Sequence, residues 1–304
     1  MKIKYTVPND LDQATLKTIL QKKLNISTNF LNKLKLSNSI FVNNKLTNVN
    51  TKVHTNDEIL VDMSNIFSNT NIQSKFPAWK KELDILFEDE YLIILNKPSN
   101  MPVHPSPDNF DKTLANSVLY YFLEKKYNIQ NIHIVTRLDK DTSGICVIAK
   151  NSYIQELFLR KKDEIDFKKY YIAIVDGIVK NDSGIIEENI SRKENSIILR
   201  EVNINGAFAK TEYLVLKRNT IKNYTIVKIL LHTGRTHQIR VHFSHIGHTL
   251  LGDDLYYDKS PKENILALIN RQALHCSNIC FNHPITNEKI DILATLSSDM
   301  NNLI

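Results

Sequence analysis

Residues 136–144 read Thr-Arg-Leu-Asp-Lys-Asp-Thr-Ser-Gly and stand between two mostly apolar runs, 132–135 and 145–149. Short apolar runs on both sides of a polar segment predict two buried strands joined by a turn. Asp, Ser and Gly are residues that turns require, so a purely structural turn is one interpretation of the segment. The arginine and the two aspartates also make it the first place to look for chemistry.

The same segment can be compared with a calcium-binding loop. Asp139, Asp141, Ser143 and Gly144 match positions 1, 3, 5 and 6 of the EF-hand spacing. Position 12 is Lys150 instead of the bidentate glutamate, and strand-like rather than helical segments flank the loop. A bound cation would lose its strongest ligand, so calcium is excluded.

The apolar pattern from residue 83 onward predicts an α+β domain. Strand-like runs alternate with fewer helical stretches, and no series of strand–helix–strand repeats is evident. This favours a mixed, mainly antiparallel β-sheet with flanking helices. The predicted strands include 84–87, 92–95, 145–148, 171–175 and 224–230, and the predicted helices include 114–124, 153–160 and 236–246.

The first 63 residues follow a separate pattern. Apolar residues recur at helical spacing over 16–24 and 30–36, and strand-like pieces follow at 39–42 and 58–61. Two helices with basic faces before a small hairpin-like sheet resemble the S4 RNA-binding domain, a small α/β fold. Asn44 and Asn56 stand where that family usually has turn glycines. Because Asn tolerates a positive φ better than most residues, we expect the turns to persist.

The chain after residue 63 is rich in Ser, Asn and Thr, which is typical of a linker. We therefore predict three parts. An S4-like RNA-binding domain covers residues 1–63, a linker covers 64–82, and a catalytic domain covers 83–304.

The net charge is unevenly distributed along the chain. Residues 1–80 carry 11 Lys and Arg against 5 Asp and Glu, whereas the remainder carries 28 of each. This asymmetry fits a polyanionic partner such as nucleic acid, although a merely soluble basic domain has the same signature. No apolar run approaches the roughly 18 residues that span a bilayer. The N-terminus lacks a signal-peptide pattern, so we expect a cytoplasmic protein with no membrane partner.

Several motifs resemble those of the RluA-type pseudouridine synthases. The string RLDKDTSG looks like the segment that carries this family's catalytic aspartate. The other matching segments occur in the family's order at 88–105, 169–177, 233–242, 271–275 and 281–284. Two positions depart from the pattern: Thr136 replaces a histidine and Asn100 replaces a glycine.

The resemblance implies an isomerase that converts uridine in RNA to pseudouridine. The reaction breaks the bond from C1′ to N1 of uracil and forms one from C1′ to C5, without redox chemistry or group transfer. It therefore requires no cofactor or metal. It requires an ionised carboxylate, which either forms a covalent intermediate or stabilises charge on the ribose.

The resemblance also assigns roles to individual residues. Asp139 is the catalytic carboxylate and Arg240 is its ion-pair partner, which opposes the desolvation of the charge. Tyr171 is the active-site aromatic residue, while its neighbour Tyr170 faces the other side of the strand. Arg137 replaces the target base when that base is extruded from the RNA. The remaining expected contacts to substrate or RNA are Thr142, Arg235, His237, Gln238, Lys22, Lys33 and Lys35.

Metal sites are not expected. The cysteines Cys146, Cys276 and Cys280 lack metal-finger spacing and should be reduced, apolar residues. His242, His245 and His248 are three apart, but no nearby carboxylate joins them before Asp253.

Large-subunit ribosomal RNA is the expected substrate, with tRNA as the alternative, and we expect a monomer. A non-catalytic RNA-binding protein on the same scaffold is a competing hypothesis. The presence of Asp139, Tyr171 and Arg240 argues against it.

Overall fold

A computed structural model describes residues 1–68, 76–127, 131–257 and 269–304, apart from the side chains of 68, 162 and 163. The N-terminal part contains a four-stranded antiparallel sheet of order β1-β4-β2-β3 and two main helices. Its elements are β1 (Lys2–Thr6), a 3-10 turn (Asn9–Leu11), α1 (Leu16–Lys22), α2 (Thr28–Leu36), β2 (Ile40–Val42), β3 (Lys45–Leu46), β4 (Glu58–Asp62) and α3 (Ser64–Ser68).

Side-chain caps set the starts of the two main helices. The Thr15 hydroxyl accepts a hydrogen bond from the Thr18 amide before α1, and the Ser27 hydroxyl accepts one from the Phe30 amide before α2. Such caps satisfy amides that have no partner inside the helix. The predicted helices and both predicted strands are present. Strand β1, which pairs with β4, was not predicted from the sequence.

Asparagine takes the place of glycine in the two turns of the small sheet. Asn44 has φ of 64° and Asn56 has φ of 67°, so the prediction that asparagine would support these turns is confirmed. The Asn43 side chain joins the two turns, because it donates to the Asp57 carboxylate and accepts from the Glu58 amide.

The second part is built on a large sheet of order β10-β13-β14-β9-β15-β8-β6-β5, with β16 paired to β15 and β7 paired to β8. All of its pairings are antiparallel except β15 with β8. The α+β, mainly antiparallel prediction is therefore confirmed. The strands are β5 (Ile85–Glu88), β6 (Leu92–Lys97), β7 (His133–Ile134), β8 (Ser143–Ala149), β9 (Lys168–Asp176), β10 (Ser183–Glu187), β13 (Lys210–Asn219), β14 (Tyr224–Leu231), β15 (Leu274–Asn282) and β16 (Lys289–Leu293), with a separate hairpin of β11 (Ile190–Arg192) and β12 (Arg200–Val202).

The helices of this part are α4 (Leu114–Glu124), α5 (Ser152–Arg160), α6 (Lys162–Ile165), α7 (Gln238–His245) and α8 (Ser298–Asn301). The central strands are buried on both faces, so alternate residues enter different cores. Ile93 and Leu95 of β6 join the cluster that contains the apolar side of α4. Leu92 and Ile94 join the cluster that contains α5. Among the described residues, no helix has the length and apolar character needed to cross a membrane.

The N-terminal part is packed against α5. The ring of Phe30 stacks on the ring of Tyr153 with their centres 5.6 Å apart, and the Tyr153 hydroxyl donates to the Leu24 carbonyl at 2.9 Å. One apolar cluster consequently runs from the small sheet into the large one.

The predicted linker begins with α3. Residues 69–75 lie outside the described part of the chain. After them, Phe76 and Trp79 pack on the core around α4. The division into three parts remains a prediction.

Candidate active site

The segment 136–142 forms a turn between two paired strands, as the sequence predicts. β7 precedes it and β8 follows it. The Thr142 amide donates to the Asp139 carbonyl at 3.2 Å and closes the turn. At its start, the Thr136 hydroxyl accepts from the Val147 amide at 2.9 Å. The threonine that departs from the family pattern therefore ties this turn to β8.

Gly144 lets the turn approach strand β15. It lies opposite Cys276 in the parallel pairing of β8 with β15 and has φ of 107°. A Cβ atom at this position would overlap the Cys276 backbone. Only glycine combines this close approach with this backbone conformation. Because β15 also pairs with β9, the turn is brought close to Tyr171.

A buried lysine that does not line the cleft also holds the turn. Lys97 ends β6 and is 0% exposed. Its ammonium donates to the carbonyls of Pro98, Met101 and Lys140 at 2.8, 2.8 and 2.9 Å. Burial lowers the pKa of Lys97 to about 8, while the three carbonyls replace the water that the charge has lost. The loop that carries the Pro98 and Met101 carbonyls also contains Asn100, whose φ is 56°.

Arg240, on α7, is the buried cation of the site. Its side chain is 4% exposed, and its Nη1 lies 3.4 Å from Oδ2 of Asp139. Two shorter contacts of 2.7 Å join its Nε and Nη2 to the two carboxylate oxygens of Asp253, which is fully buried. Burial alone would lower the pKa of Arg240, but the hydrogen bonds to Asp253 raise it, so the guanidinium stays charged.

Arg240 thus has three carboxylate neighbours: Asp253 is the nearest, Asp139 lies 3.4 Å away, and the exposed Asp254 lies 3.6 Å from Nη2. The family resemblance predicts the contact of Arg240 with Asp139 but not the one with Asp253. The signal available was the Gly-Asp pair at 252–253, which follows the helix and matches the family motif. Its partner could not be read from spacing, because Asp253 lies in the chain beyond the end of α7.

His237 lies between the turn and the start of α7. Its φ is 57°, in the left-handed region, so the helix begins at Gln238 and not at 236 as predicted. Its Nδ1 is 2.8 Å from the Tyr256 hydroxyl, and its Nε2 is 3.9 Å from Oδ2 of Asp139. Burial lowers the pKa of His237, which makes the ring uncharged at neutral pH. Asp139 therefore faces one cation and one neutral imidazole.

Tyr171 lies on β9 with 4% of its surface exposed. Burial raises the pKa of Tyr171 well above its ordinary value, so the phenol stays protonated. The neighbouring Tyr170 does not line the cleft, and the Lys228 ammonium lies 4.9 Å from the centre of its ring. The two tyrosines have the separate environments that alternation along a strand produces.

One cleft of about 690 Å³ gathers the candidate residues of the second part of the chain. Arg137 is exposed at its edge, whereas the Asp139 side chain is 30% exposed. Arg235 is fixed at the edge by a hydrogen bond from its Nε to the Phe208 carbonyl. The predicted residues that line the cleft are Arg137, Asp139, Thr142, Tyr171, Arg235, His237, Gln238 and Arg240.

Two of these residues use their polar groups inside the protein. Gln238 is buried; its amide donates to Lys210 and Thr211 and accepts from the Thr233 hydroxyl and the Arg235 amide. Thr142 is also buried and accepts from the Gln272 amide at 3.4 Å. Their positions favour shaping the cleft over contacting RNA.

The predicted lysines lie on the N-terminal part, outside the cleft. Lys22 ends α1, and Lys33 and Lys35 lie on α2; all three are exposed. Lys33 is close enough to His133 for its charge to contribute to lowering the pKa of that histidine, after the larger effect of burial. His133 adjoins Ile134, which lines the cleft.

Among the residues that the structure describes, no group of three or more His, Cys, Asp and Glu side chains could hold a metal ion. All three histidines of the 242–248 series have protein partners: His242 contacts Thr211 and the Glu188 carbonyl, His245 lies 4.0 Å from the Glu188 carboxylate, and His248 contacts the Asp176 carbonyl. Burial raises the pKa of the Cys146 and Cys276 thiols to about 12, which makes them poor metal ligands.

Comparison with known proteins identifies the family. The sequence profile described as RNA pseudouridylate synthase matches residues 91–245, and the profile described as the RluD ribosomal pseudouridine synthase N-terminal domain matches 3–59. The uncharacterized RNA pseudouridine synthase YhcT of Bacillus subtilis is 34% identical over 294 residues, which cover 95% of this chain and 91% of that protein. Ribosomal large subunit pseudouridine synthase D of Haemophilus ducreyi is 37% identical over 238 residues, which cover 76% of this chain and 72% of that protein.

A solved structure shares the fold. Human RNA pseudouridylate synthase domain containing 1 aligns with a TM-score of 0.58 and 23% identity, covering 72% of this chain and 86% of that chain. The chain therefore belongs to the RNA pseudouridylate synthase family of isomerases.

Proposed function

We propose that this enzyme converts specific uridines of large-subunit ribosomal RNA to pseudouridine, with Asp139 as its essential carboxylate and with the target base extruded from the RNA. The observation that carries the proposal is the position of Asp139. Its carboxylate lies in the cleft, 3.4 Å from the buried guanidinium of Arg240. At this distance the guanidinium pairs with the carboxylate and orients it in the cleft.

Three residues of the cleft then have roles in breaking the bond from C1′ to N1 and forming the bond from C1′ to C5. Asp139 either attacks the substrate or stabilises charge on the ribose while the bond from C1′ to N1 breaks. Tyr171 packs against the detached uracil, and its hydroxyl helps to remove the C5 proton after the bond to C5 forms. Because the phenol starts protonated, its own proton goes to N1 of the base, which carries a proton in the product, as the phenol oxygen takes the proton from C5. His237, uncharged beside Asp139, is a candidate hydrogen-bonding partner for the base.

The depth of the site supports the proposed base extrusion. A uridine stacked inside folded RNA cannot reach a carboxylate that is only 30% exposed. Extrusion costs a few kcal/mol of lost stacking. Arg137 is exposed at the edge of the cleft, and its planar guanidinium is suited to fill the space that the base leaves.

Ribosomal RNA is proposed as the substrate on two grounds. The N-terminal part matches a domain described for a ribosomal enzyme, and relatives from several bacteria are named for the large ribosomal subunit. That part also holds the excess positive charge. We propose that it acts as an S4-like RNA-binding domain over 1–63, followed by a linker and the catalytic domain. An enzyme with this substrate works in the cytoplasm.

Release of tritium from C5-labelled uridine in ribosomal RNA tests the proposal. The native protein should release tritium, and Asp139→Asn should not. Asp254→Asn is the matched control, because this carboxylate lies 3.6 Å from the same guanidinium but is 80% exposed. Equal release by native protein and Asp139→Asn would remove Asp139 from the mechanism. If the native protein releases tritium only from labelled tRNA, then tRNA replaces ribosomal RNA as the proposed substrate.

A salt titration tests the RNA-binding role of the N-terminal part. Deleting this part would uncover Tyr153, so charge substitutions are the better perturbation. Replacing three basic side chains that bind phosphate should weaken RNA binding and reduce the slope of log affinity against log salt by up to about 3. The test variant replaces Lys22, Lys33 and Lys35 with Gln, and a control with the same net charge replaces Lys180, Lys222 and Lys289. Equal slopes for the two triple variants would contradict the assignment.

A further inference from the structure

The C-terminal helix is connected to the catalytic turn through one arginine. Arg271 precedes β15 and is 7% exposed. Its Nε lies 2.7 Å from Oδ2 of Asp299 and its Nη2 lies 3.0 Å from Oδ1, so the contact is bidentate. The same Nη2 donates to the Ser297 hydroxyl at 2.8 Å. Asp299 lies in α8 and Ser297 directly precedes that helix.

The opposite side of the guanidinium faces the turn that carries Asp139. Nη1 of Arg271 donates to the Asp141 carbonyl at 2.9 Å, and Nη2 contacts the Ser143 hydroxyl at 3.3 Å. Further bonds from Nη1 reach the carbonyls of Gln272 and Leu274. A guanidinium with its donors committed on both sides can occupy only one orientation.

The backbone of the turn is therefore held at three successive carbonyls. The Asp139 carbonyl accepts from the Thr142 amide, the Lys140 carbonyl accepts from the Lys97 ammonium, and the Asp141 carbonyl accepts from Arg271. Two of the three donors are buried cations. Fixing consecutive peptide planes fixes the direction in which the Asp139 side chain leaves the backbone.

We propose that Arg271, oriented by Asp299, is a positioning residue for the Asp139 carboxylate, so that the C-terminal helix belongs to the catalytic apparatus without touching the substrate. The proposal rests on the proposed role of Asp139. A displacement of about 1 Å at a reacting group can reduce a rate by about 100-fold. The orientation of Arg271 matters on this scale, because its contact with the turn is only two residues from Asp139.

The helix has other anchors, which allows the positioning role to be separated from folding. Met300 and Leu303 of the C-terminal segment are buried in an apolar cluster, with 0% and 6% exposure. The Leu303 carbonyl also accepts from the Tyr224 hydroxyl at 2.7 Å. Asp299→Asn therefore leaves the apolar attachment of the segment in place and removes the ionic contact with Arg271.

The test compares Asp299→Asn and Arg271→Lys with Leu303→Ala, using tritium release, RNA binding and thermal unfolding. Asp299→Asn and Arg271→Lys should lower kcat about 10- to 100-fold while KM and the Kd for RNA stay within about 2-fold of the native values. Leu303→Ala should lower Tm at least as much as Asp299→Asn and keep the native kcat below its Tm. Asp299→Glu should recover part of the lost kcat, because it restores a carboxylate.

The inference is overturned if Asp299→Asn retains the native kcat, whatever its Tm. It is also overturned if Leu303→Ala loses kcat to the same extent, because the effect would then follow stability. If Arg271→Lys does not fold, Asp299→Asn decides alone. Absence of tritium release from the native protein would overturn the proposed function itself, a result distinct from native release with unchanged variants.

Discussion

Replacing Asp253 with Asn should be among the most damaging single-atom changes near the site. Asp253 is fully buried and contacts Nε and Nη2 of Arg240 at 2.7 Å each. It also accepts from the amides of Leu255 and Tyr256. An asparagine of the same shape keeps one oxygen but places an amide group against a guanidinium or a backbone amide, so donors face donors.

The size of the effect follows from the burial of both partners. Removing one member of a buried ion pair costs about 3–5 kcal/mol, because the remaining charge has no partner. The introduced asparagine would keep one oxygen, and Asp139 remains 3.4 Å from Arg240, so the guanidinium keeps some of its partners. We therefore expect Asp253→Asn to lower the free energy of unfolding by about 3 kcal/mol, the low end of this range. For a domain of this size such a loss lowers Tm by roughly 6–12 °C. Activity should fall by about 10-fold or more, because Arg240 is free to move toward Asp139.

Thermal unfolding and tritium release at a temperature well below Tm measure the two effects. Asp254→Asn is the control, since its carboxylate is next in sequence and 3.6 Å from Arg240 but 80% exposed. Exposed ion pairs contribute little, so the control should unfold at the native temperature. If Asp253→Asn and Asp254→Asn unfold at the same temperature, the reasoning from burial is refuted.

Three further perturbations test other parts of the structure. Burial, with a smaller effect of a nearby arginine, lowers the pKa of His275 from 6.5 to about 4. Between pH 6.5 and pH 4 the unfolded chain therefore binds more protons than the folded protein. The free energy of unfolding should fall by about 3 kcal/mol as the pH decreases over this range. Urea unfolding of His275→Gln should show a shallower loss over this range, and parallel pH curves would contradict the assignment. Gly144→Ala should lower the free energy of unfolding in urea by at least about 4 kcal/mol, because the added Cβ would overlap β15. Gly247→Ala, which has open space around it, should lower it by only about 1–2 kcal/mol. Similar losses for the two variants would show that the positive φ, and not the overlap, determines the effect. Tyr153→Phe removes the hydrogen bond to Leu24 and should cost about 1 kcal/mol, and an unchanged midpoint would show that this bond does not stabilise the docked N-terminal part.

Periodic apolar patterns predicted much of the fold. The helix at 114–124 has the predicted bounds, and the buried strands at 92–95 and 145–148 were found two or three residues short. Strand β1 was missed because Lys2–Thr6 alternates exposed and partly buried side chains over only five residues, and its partner β4 is more than fifty residues away. Its pairing is a tertiary property that no local pattern carries.

The site was predictable to the level of motif and no further. Family motifs pointed to Asp139, Tyr171 and Arg240, and the fold brings these three residues to one cleft. The sequence did not reveal that Asp253 holds Arg240, or that Arg271 reaches a turn 130 residues earlier in the chain. These contacts depend on which side chains the folded sheet brings together. Local spacing contains no information about them.

The carboxylates around the Arg240 guanidinium outnumber it, so this part of the cleft has a net negative charge. Asp139, Arg240 and Asp253 together carry one net negative charge, the exposed Asp254 adds another beside Arg240, and His237 next to them is neutral. Lys169 brings a positive charge to another part of the lining. A phosphate that approached the floor of the cleft would be repelled, whereas uracil carries no charge and would not be. At the edge, Arg137 and Arg235 present positive charge. In the proposed complex with RNA, the uncharged base would therefore lie beside Asp139, and the phosphates would stay near the positive charge at the edge, such as that of Arg235.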